Sequence, residues 1–274
     1  MIRVAYTLEQ CWHDVPGGTA VATLRVLDEM LRRDDVEIVG VAVRSPDIER
    51  NDIPATAALL FDPGELAALE PDVVAEAASR ESVASWGRAA LALGADLIVS
   101  SVSAFADPGL LTDLRQVASE HGSTIQIQPG ALAGVDALAA GRQLGLDAVE
   151  HRIVKPPKAW KGTPADRPGV LDALTEPTVL LDATAAETAA RFPKNANVAM
   201  TTALAGVGPD ATRVVLVADP AATSNRHELR ASGAFGELDV RIDNAPLPDN
   251  PKSSAMAALA LARSITNRSA AVAI

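Results

Sequence analysis

The chain has 274 residues, of which 48% are hydrophobic and 22% are charged, so it can form one large domain or two smaller ones. Its formal charge of −11 argues against a surface that neutralises nucleic-acid phosphates or anionic lipid. The single cysteine cannot form an internal disulfide, the first residues lack the pattern of a signal peptide, and no apolar stretch approaches the ~20 residues that span a bilayer. We therefore expect a cytoplasmic protein that binds neither nucleic acid nor membrane.

Strand-like and helix-like segments alternate through residues 1–128, a pattern typical of a parallel sheet with crossover helices. The predicted strands are Ile2–Thr7, Val36–Val43, Val73–Ala77, Asp96–Val102 and Thr124–Ile127. The predicted helices are Gly17–Arg32, Glu81–Leu93 and a third that begins after an N-cap at Asp107 and ends near Glu120. This order predicts an α/β fold whose first domain, residues 1–128, is Rossmann-like, with a doubly wound parallel sheet.

A second, smaller α/β domain is predicted over residues 129–250, because the chain changes character after Gln128. An Ala-rich helix leads into a strand and then into a loop rich in Pro, Gly and Lys. The later predicted elements are a helix over Asn195–Ala205 and two strands, Arg213–Ala218 and Leu238–Ile242, which turn-rich segments separate. A final helix at about Lys252–Ser264, within residues 251–274, is expected to pack back on the first domain, since a lone amphipathic helix cannot bury its apolar face.

The turn after the first strand is where a nucleotide-binding fold places its phosphate loop. Gly17 and Gly18 stand there and would let the backbone approach an anion, although the G-x-G-x-x-G spacing is absent. The alternative is that this Pro-Gly-Gly turn only caps a helix. Arg44 stands after the second strand, where an acidic residue normally holds the ribose hydroxyls. Arg44 could accommodate a 2′-phosphate, as in NADP-preferring sites, or be a solvated arginine.

Asn195, Asn197 and His227 form the third candidate group. An asparagine can hold a carboxylate or a carboxamide, and a histidine titrates near neutrality. The alternative for the two asparagines is N-capping of the helix that follows Pro193. His13, His121 and His151 stand outside this group and are interpreted as surface or structural residues. Lys155 and Lys158 could attract a dicarboxylate, or simply lie in a solvated loop.

From about residue 45 to its end, the chain resembles the L-aspartate dehydrogenase family, NAD(P)-dependent enzymes related in fold to homoserine dehydrogenase and dihydrodipicolinate reductase. The most specific segments are FPKNANVAMTTALAG (192–206), TRVVLVADPAATSNRHE (212–228) and APLPDNPKSSAMAAL (245–259). Weaker matches in the same order are DVVAEAAS (72–79), SVSAFAD (101–107), PGALAGVDAL (129–138) and VKPPKAW (154–160).

The resemblance implies oxidation of L-aspartate by NAD or NADP to iminoaspartate, which hydrolyses to oxaloacetate and ammonia or feeds NAD synthesis. His227 and Asn195 would be the catalytic residues, with His227 moving the proton, and Asn197 and Lys194 would bind the substrate. Together with the residues above, the expected cofactor-binding set is Gly17, Gly18, Arg44, Ala78, Ser79, Ser101 and Ala131. We assign no metal ligands and expect a homodimer.

Residues 1–44 depart from this family and resemble the N-terminal βαβ unit of a GT-B glycosyltransferase. The turn after the first strand is longer by about five residues than the family's glycine fingerprint. It also carries Glu9 and Asp14, whose carboxylates would repel a pyrophosphate. Weakened cofactor binding is therefore expected. Two alternatives remain: a non-catalytic homologue that binds a nucleotide or a dicarboxylate without turnover, and, more remotely, a sugar-nucleotide enzyme.

Overall fold

The computed structural model describes residues 1–8, 30, 32–45, 53–247 and 250–273. The chain divides into two compact units, of which the first comprises Met1–Gly130 and Ala257–Ile274 and the second comprises Ala131–Met256. The sequence placed the two divisions slightly earlier, after residues 128 and 250. None of the helices in the described ranges has both the length and the apolar character needed to cross a membrane.

A six-stranded parallel sheet forms the centre of the first unit. Its strands are β1 (Ile2–Thr7), β2 (Val36–Ala42), β3 (Ala58–Leu60), β4 (Val73–Glu76), β5 (Asp96–Val99) and β6 (Ile125–Ile127). They lie in the order β3-β2-β1-β4-β5-β6, with every neighbouring pair parallel. The apolar side chains of β4 and of most of β5 are buried without alternation, as in a sheet that is covered on both faces. The predicted Rossmann-like α/β fold is confirmed.

Two helices of this unit follow the strands that the sequence predicted. Helix α1 (Ser82–Ala92) follows β4, and helix α2 (Pro108–His121) follows β5. The side chain of Asp107 accepts a hydrogen bond from the backbone N–H of Gly109 at 2.9 Å, which confirms the predicted N-cap. Strand β5 is shorter than predicted because residues 102–106 form a 3₁₀ helix, and β3 was not predicted. The predicted helix over Gly17–Arg32 falls almost entirely outside the described residues.

The second unit is built on a mixed five-stranded sheet. Its elements are α3 (Val135–Gly141), β7 (Leu146–Lys155), β8 (Thr178–Thr184), α4 (Ala185–Arg191), α5 (Ala196–Ala205), β9 (Arg213–Ala218), β10 (Asn225–Gly233), β11 (Gly236–Asn244), β12 (Pro246–Leu247) and β13 (Asn250–Ser254). The sheet order is β11-β10-β7-β9-β8, while β12 and β13 form a separate pair. β7 and β9 are parallel, and the other neighbours in the five-stranded sheet are antiparallel.

Helix α5 packs on one face of this sheet. Ala199 and Ala203 from the helix are fully buried in one cluster with Ile153 of β7 and Leu216 of β9. Because small side chains allow the helix backbone to lie close to the strands, polar groups on this side of α5 come within hydrogen-bond distance of β7. This face of the sheet therefore holds both the apolar core and the polar group described below.

Two sequence predictions for this half of the chain are corrected. The segment between β9 and β11 is not wholly turn-rich, because residues 225–233 form the strand β10, which carries His227. The final helix, α6, runs over Ala255–Thr266 and so begins and ends later than predicted. Just beyond α6, Arg268 forms an ion pair with Asp96 at 2.6 Å and the hydroxyl of Ser269 donates to Asp35 at 2.8 Å, so this end of the chain is fixed to the first unit.

Candidate active site

A buried carboxylate organises the carboxyl end of the parallel sheet in the first unit. Glu76, the last residue of β4, is fully buried. Its carboxylate accepts hydrogen bonds from the backbone N–H groups of Ala78 and Ser79 at 2.9 and 3.1 Å and from the Ser82 hydroxyl at 3.2 Å. Ser101 donates from its backbone at 2.9 Å and from its hydroxyl at 2.8 Å. Burial raises the pKa of Glu76, and the donors from Ser101, Ala78 and Ser82 oppose that effect.

This arrangement brings three of the predicted cofactor-binding residues together. Ala78, Ser79 and Ser101 surround Glu76 at the ends of β4 and β5, where doubly wound sheets bind their ligands. Glu76 itself is not in the residue set above, although the resemblance to the family implies that the segment EAAS (76–79) lines the nicotinamide ribose. Its sequence signal is a carboxylate that ends the apolar run VVAE, since an acidic side chain at the end of a buried strand needs several donors.

The carboxyl end of this sheet fits a dinucleotide in two respects. The strand order reverses between β1 and β4, which is the usual ligand position in such sheets. In addition, the buried hydroxyl of Ser100, directly after β5, has no hydrogen-bond partner among the described residues, so it is available to a polar ligand group. Arg44 lies two residues beyond β2 and is exposed, in keeping with either interpretation of that residue. Gly17 and Gly18 lie outside the described residues.

In the second unit, two histidines and a threonine form a buried hydrogen-bonded group. Nε2 of His151 on β7 lies 3.0 Å from Nδ1 of His227 on β10. Nδ1 of His151 lies 3.0 Å from the hydroxyl oxygen of Thr202 on α5. His151 and Thr202 have no exposed surface, and His227 is 4% exposed. Burial lowers the pKa of His151 to about 3. Burial, and to a lesser extent electrostatic interaction with His151 and Lys155, holds the pKa of His227 well below its usual value, so both imidazoles are neutral at pH 7.

His151 was interpreted as a surface or structural residue that stands apart from His227; its burial excludes the surface interpretation, and its hydrogen bond places it beside His227. Val149, His151 and Ile153 are buried on one face of strand β7, and the register places Ile153 opposite His227 and His151 opposite Leu229. Residues two apart on a strand share a face, so His151 and His227 are diagonal neighbours. The alternation in LDAVEHRIVK was the available signal, since it assigns His151 to the buried face.

Lys155 and Asn195 form a second polar pair in this unit. Lys155 ends β7 in the same alternating series as His151, and its ammonium group donates to Oδ1 of Asn195 at 2.9 Å. The alternative role of Asn195 as a side-chain N-cap is wrong: the residue occupies the N-cap position of α5 but its side chain makes no capping hydrogen bond. Lys155 is half-buried and forms no ion pair with any described carboxylate. Burial lowers its pKa to about 8.

The remaining predicted site residues of this unit lie on either side of Asn195 or at the start of the unit. Asn197 is half-buried in the first turn of α5, and Lys194 lies in the short 3₁₀ turn that precedes this helix. Ala131 is buried, and its carbonyl accepts a hydrogen bond from the side chain of Asn244 at 2.9 Å. Lys158 is exposed, so of the two lysines in the VKPPKAW segment only Lys155 is held in the polar group.

Two family models match this chain, one in each half. Residues 16–128 match the family model described as the NAD binding domain of homoserine dehydrogenase, and residues 136–268 match the model described as aspartate dehydrogenase, C-terminal. The first match includes part of the segment 1–44 that resembles a glycosyltransferase. An L-aspartate dehydrogenase of Brucella anthropi is 51% identical over 243 residues, which cover 89% of this chain and 91% of the relative.

Two solved structures show the same fold. The crystal structure of an aspartate dehydrogenase from Thermotoga maritima aligns with a TM-score of 0.75 at 23% identity and covers 100% of this chain and 99% of that one. A hyperthermophilic archaeal homoserine dehydrogenase in complex with NADPH aligns with a TM-score of 0.56 at 14% identity, over 97% of each chain. The identity and coverage of the Brucella anthropi relative establish more than the fold, and the chain belongs to the L-aspartate dehydrogenase family.

Proposed function

We propose that this chain catalyses the NAD(P)-dependent oxidative deamination of L-aspartate to iminoaspartate, which water then hydrolyses to oxaloacetate and ammonia. The observation that carries the proposal is the half-buried ammonium group of Lys155, which has no carboxylate partner among the described residues and shares the buried side of β7 with His151. A cation placed there at the expense of its hydration requires an anionic ligand. The family of the chain supports L-aspartate as that ligand.

Lys155 and Asn195 hold one carboxylate of the substrate. The ammonium group has three N–H donors, and the hydrogen bond to Asn195 uses one. The other two are available for a carboxylate, and such charge-assisted hydrogen bonds are the stronger kind. Asn195 thus keeps the position of the lysine and adds its own amide donors. We assign Asn197 and Lys194 to the remaining polar groups of the substrate, because they flank Asn195 in the chain.

His227 moves the proton. Its Nδ1 faces His151, so Nε2 is the nitrogen that can accept a proton from the ammonium group of the substrate. The lowered pKa keeps Nε2 unprotonated before the substrate binds. A bound dicarboxylate would offset the positive charge of Lys155 and so raise the proton affinity of His227 at the time the proton is transferred. When bound, NAD⁺ or NADP⁺ accepts the hydride that leaves the substrate Cα.

The cofactor-binding residues in this proposal are Ala78, Ser79, Ser101 and Ala131, together with Arg44, Gly17 and Gly18. Glu76 holds the backbone of the first three in place through the hydrogen bonds described above. Arg44 favours NADP, since its charge suits a 2′-phosphate, and the carboxylates in the preceding turn weaken the binding of either cofactor. We further propose a cytoplasmic homodimer with no nucleic-acid or membrane partner.

Steady-state rates of NAD⁺ and NADP⁺ reduction with L-aspartate test the proposed function. For His227→Ala, kcat should fall by about 100-fold or more, because the proton acceptor is lost. NADPH affinity, measured by nicotinamide fluorescence, should stay nearly unchanged. The matched control is His121→Ala, which removes an exposed imidazole at the end of α2 and should leave both quantities unaltered. NADPH binding without any turnover of L-aspartate by the native protein would instead favour the non-catalytic alternative.

A further inference from the structure

The hydrogen-bonded group around His227 is a linear chain that ends at a backbone carbonyl. The Thr202 hydroxyl donates to the carbonyl oxygen of Val198, one turn earlier in α5, at 3.1 Å. The same hydroxyl contacts Nδ1 of His151, and Nε2 of His151 contacts Nδ1 of His227, both at 3.0 Å. No described carboxylate hydrogen-bonds either imidazole. The proton positions in this hydrogen-bonded series therefore depend on one another.

Once the Thr202 hydroxyl donates to the Val198 carbonyl, the hydrogen count fixes the tautomer of each ring. A threonine hydroxyl has one hydrogen, and donation to the carbonyl at i−4 is its usual bond in a helix. The Thr202 oxygen can then only accept from His151, so His151 carries its proton on Nδ1. A neutral imidazole has one N–H, which leaves Nε2 of His151 as an acceptor. His227 must therefore donate from Nδ1, and its Nε2 keeps a free lone pair.

The opposite set of hydrogen-bond directions does not allow His227 to take up a proton. If Thr202 donated to His151, then His151 would donate from Nε2 to His227, and His227 would already carry its proton on Nε2. The protonated form of His227 has hydrogens on both nitrogens, so it needs an acceptor opposite Nδ1. Only the arrangement in which Thr202 donates to Val198 provides that acceptor both before and after His227 takes up a proton.

We propose that Thr202 and His151 are positioning residues that hold His227 as its Nδ1–H tautomer and so make Nε2 the proton acceptor. The inference rests on the proposed function, in which Nε2 receives a proton from the substrate ammonium group while the hydride leaves Cα and the C=N bond forms. The Val198 carbonyl, at which the hydrogen-bonded series ends, cannot take a proton. The proton therefore leaves His227 from Nε2. The buried hydrogen-bonded series sets the tautomer of His227 and does not conduct protons.

Nitrogen-15 NMR of the histidine rings tests the tautomers directly and needs no catalysis. The sequence has four histidines, so a sample labelled only at histidine gives few signals, which His227→Ala and His151→Phe assign. In the native protein at pH 7, His151 and His227 should both show the Nδ1–H pattern. In Thr202→Val, His151 loses the acceptor for Nδ1–H, and His227 should move to the Nε2–H pattern.

Measurements of kcat and KM distinguish a positioning role of Thr202 from a purely structural one. Thr202→Val should lower kcat by about tenfold or more while the KM for aspartate stays within about twofold, because the base is lost and the carboxylate contacts are kept. Thr202→Ser keeps the hydroxyl and should restore kcat to within about threefold of the native value. The matched control is Thr201→Val, since Thr201 is also buried in α5 and bonds its own i−4 carbonyl at 3.0 Å but contacts no imidazole.

A native His227 that carries its proton on Nε2 overturns the inference, as does a folded Thr202→Val variant with native kcat. If Thr202→Val does not fold, the native NMR spectrum and the Thr202→Ser variant still decide the question. A native protein that shows both Nδ1–H patterns but no turnover of aspartate refutes the proposed function and supports the tautomer assignment. The two hypotheses can therefore fail separately.

Discussion

Replacing Lys155 with methionine should raise the free energy of unfolding of the protein and weaken its binding of L-aspartate. Methionine has a similar length and fills the same space without a charge. The ammonium group of Lys155 is half-buried and has no carboxylate partner among the described residues; it donates a hydrogen bond to Asn195 and lies over the ring of Trp160. A half-buried cation without a carboxylate partner lowers the stability of the free protein, and the proposed contact with the substrate accounts for its presence. The two effects of Lys155→Met should therefore have opposite signs.

The lowered pKa of Lys155 gives the size of the stability effect. The difference between the ordinary value of 10.5 and the folded value of about 8 corresponds to roughly 3 kcal/mol of unfavourable free energy for the charged form, at roughly 1.4 kcal/mol per pH unit. The lost hydrogen bond to Asn195 and the lost cation–π contact with the Trp160 ring, whose centroid lies 5.6 Å from Nζ of Lys155, together offset about 1–2 kcal/mol of that gain. Lys155→Met should therefore raise the free energy of unfolding at pH 7 by about 1–2 kcal/mol, which is a rise in Tm of about 2–8 °C.

The pH dependence follows from the direction of the same shift. Below pH 8 the lysine is protonated in both the folded and the unfolded state, so the full cost is present. Between pH 8 and 10.5 the folded lysine loses its proton while the unfolded one keeps it, so stability rises with pH because the unfolded state binds more protons. Above pH 10.5 the cost has vanished. Lys155→Met should lack this rise, and thermal unfolding across that interval measures the difference.

The catalytic effect is set by the lost contact with the substrate carboxylate. A hydrogen bond between charged groups contributes about 1.5–3 kcal/mol, which corresponds to a rise of about 10- to 100-fold in the KM for L-aspartate. The value of kcat should change less, since the contact exists in both the bound substrate and the transition state. Initial rates of NADP⁺ reduction over a range of aspartate concentrations give both constants.

Lys158→Met is the matched control, because Lys158 lies in the same segment but is exposed. It should leave Tm and KM close to their native values. A Lys155→Met variant with native KM, or one that is clearly less stable at pH 7, would refute the reasoning, because the lysine would then be a structural donor to Asn195 and no part of the substrate site.

Three further predictions concern the first unit. The native protein should bind NADPH at least as well as NADH, and Val43→Asp should shift the preference toward NADH, because a carboxylate there pairs with ribose hydroxyls and repels a 2′-phosphate; fluorescence titration with both cofactors measures the shift, and a native preference for NADH would contradict the role of Arg44. Replacing residues 8–18 with a short G-x-G-x-x-G turn should tighten NAD(P)H binding by roughly tenfold. A folded graft with native affinity would show that the native segment is already an adequate phosphate site. Glu76→Gln should lower the free energy of unfolding by about 1–3 kcal/mol, because the amide NH₂ group replaces one of the two oxygens that accept hydrogen bonds from Ser101 and leaves that donor unpaired. Denaturant unfolding measures the loss, and native stability would contradict the prediction.

The sequence by itself determined the fold class, and the reasons are local. Unbroken apolar runs such as residues 97–99 (LIV) predict buried parallel strands, and the Asp107-Pro108 pair predicts a helix start, because these signals depend only on neighbouring residues. The residue types of His227 and Asn195 likewise indicate proton transfer and carboxylate binding through their side-chain chemistry alone. Strand β10 was missed because its alternating polar residues and the flanking turns resemble a loop.

The tertiary structure alone decided which residues act together. His151 meets His227 because antiparallel pairing of β7 with β10 sets one particular register, and a shift by one residue would turn one imidazole to the opposite face. Thr202 joins them because α5 packs on that face, and Lys155 meets Asn195 across forty positions of the chain. Local periodicity shows which face of a strand is buried, but it contains no information about which strand or helix lies opposite. The partners of the predicted catalytic histidine were therefore fixed only when the sheet formed and the helix covered it.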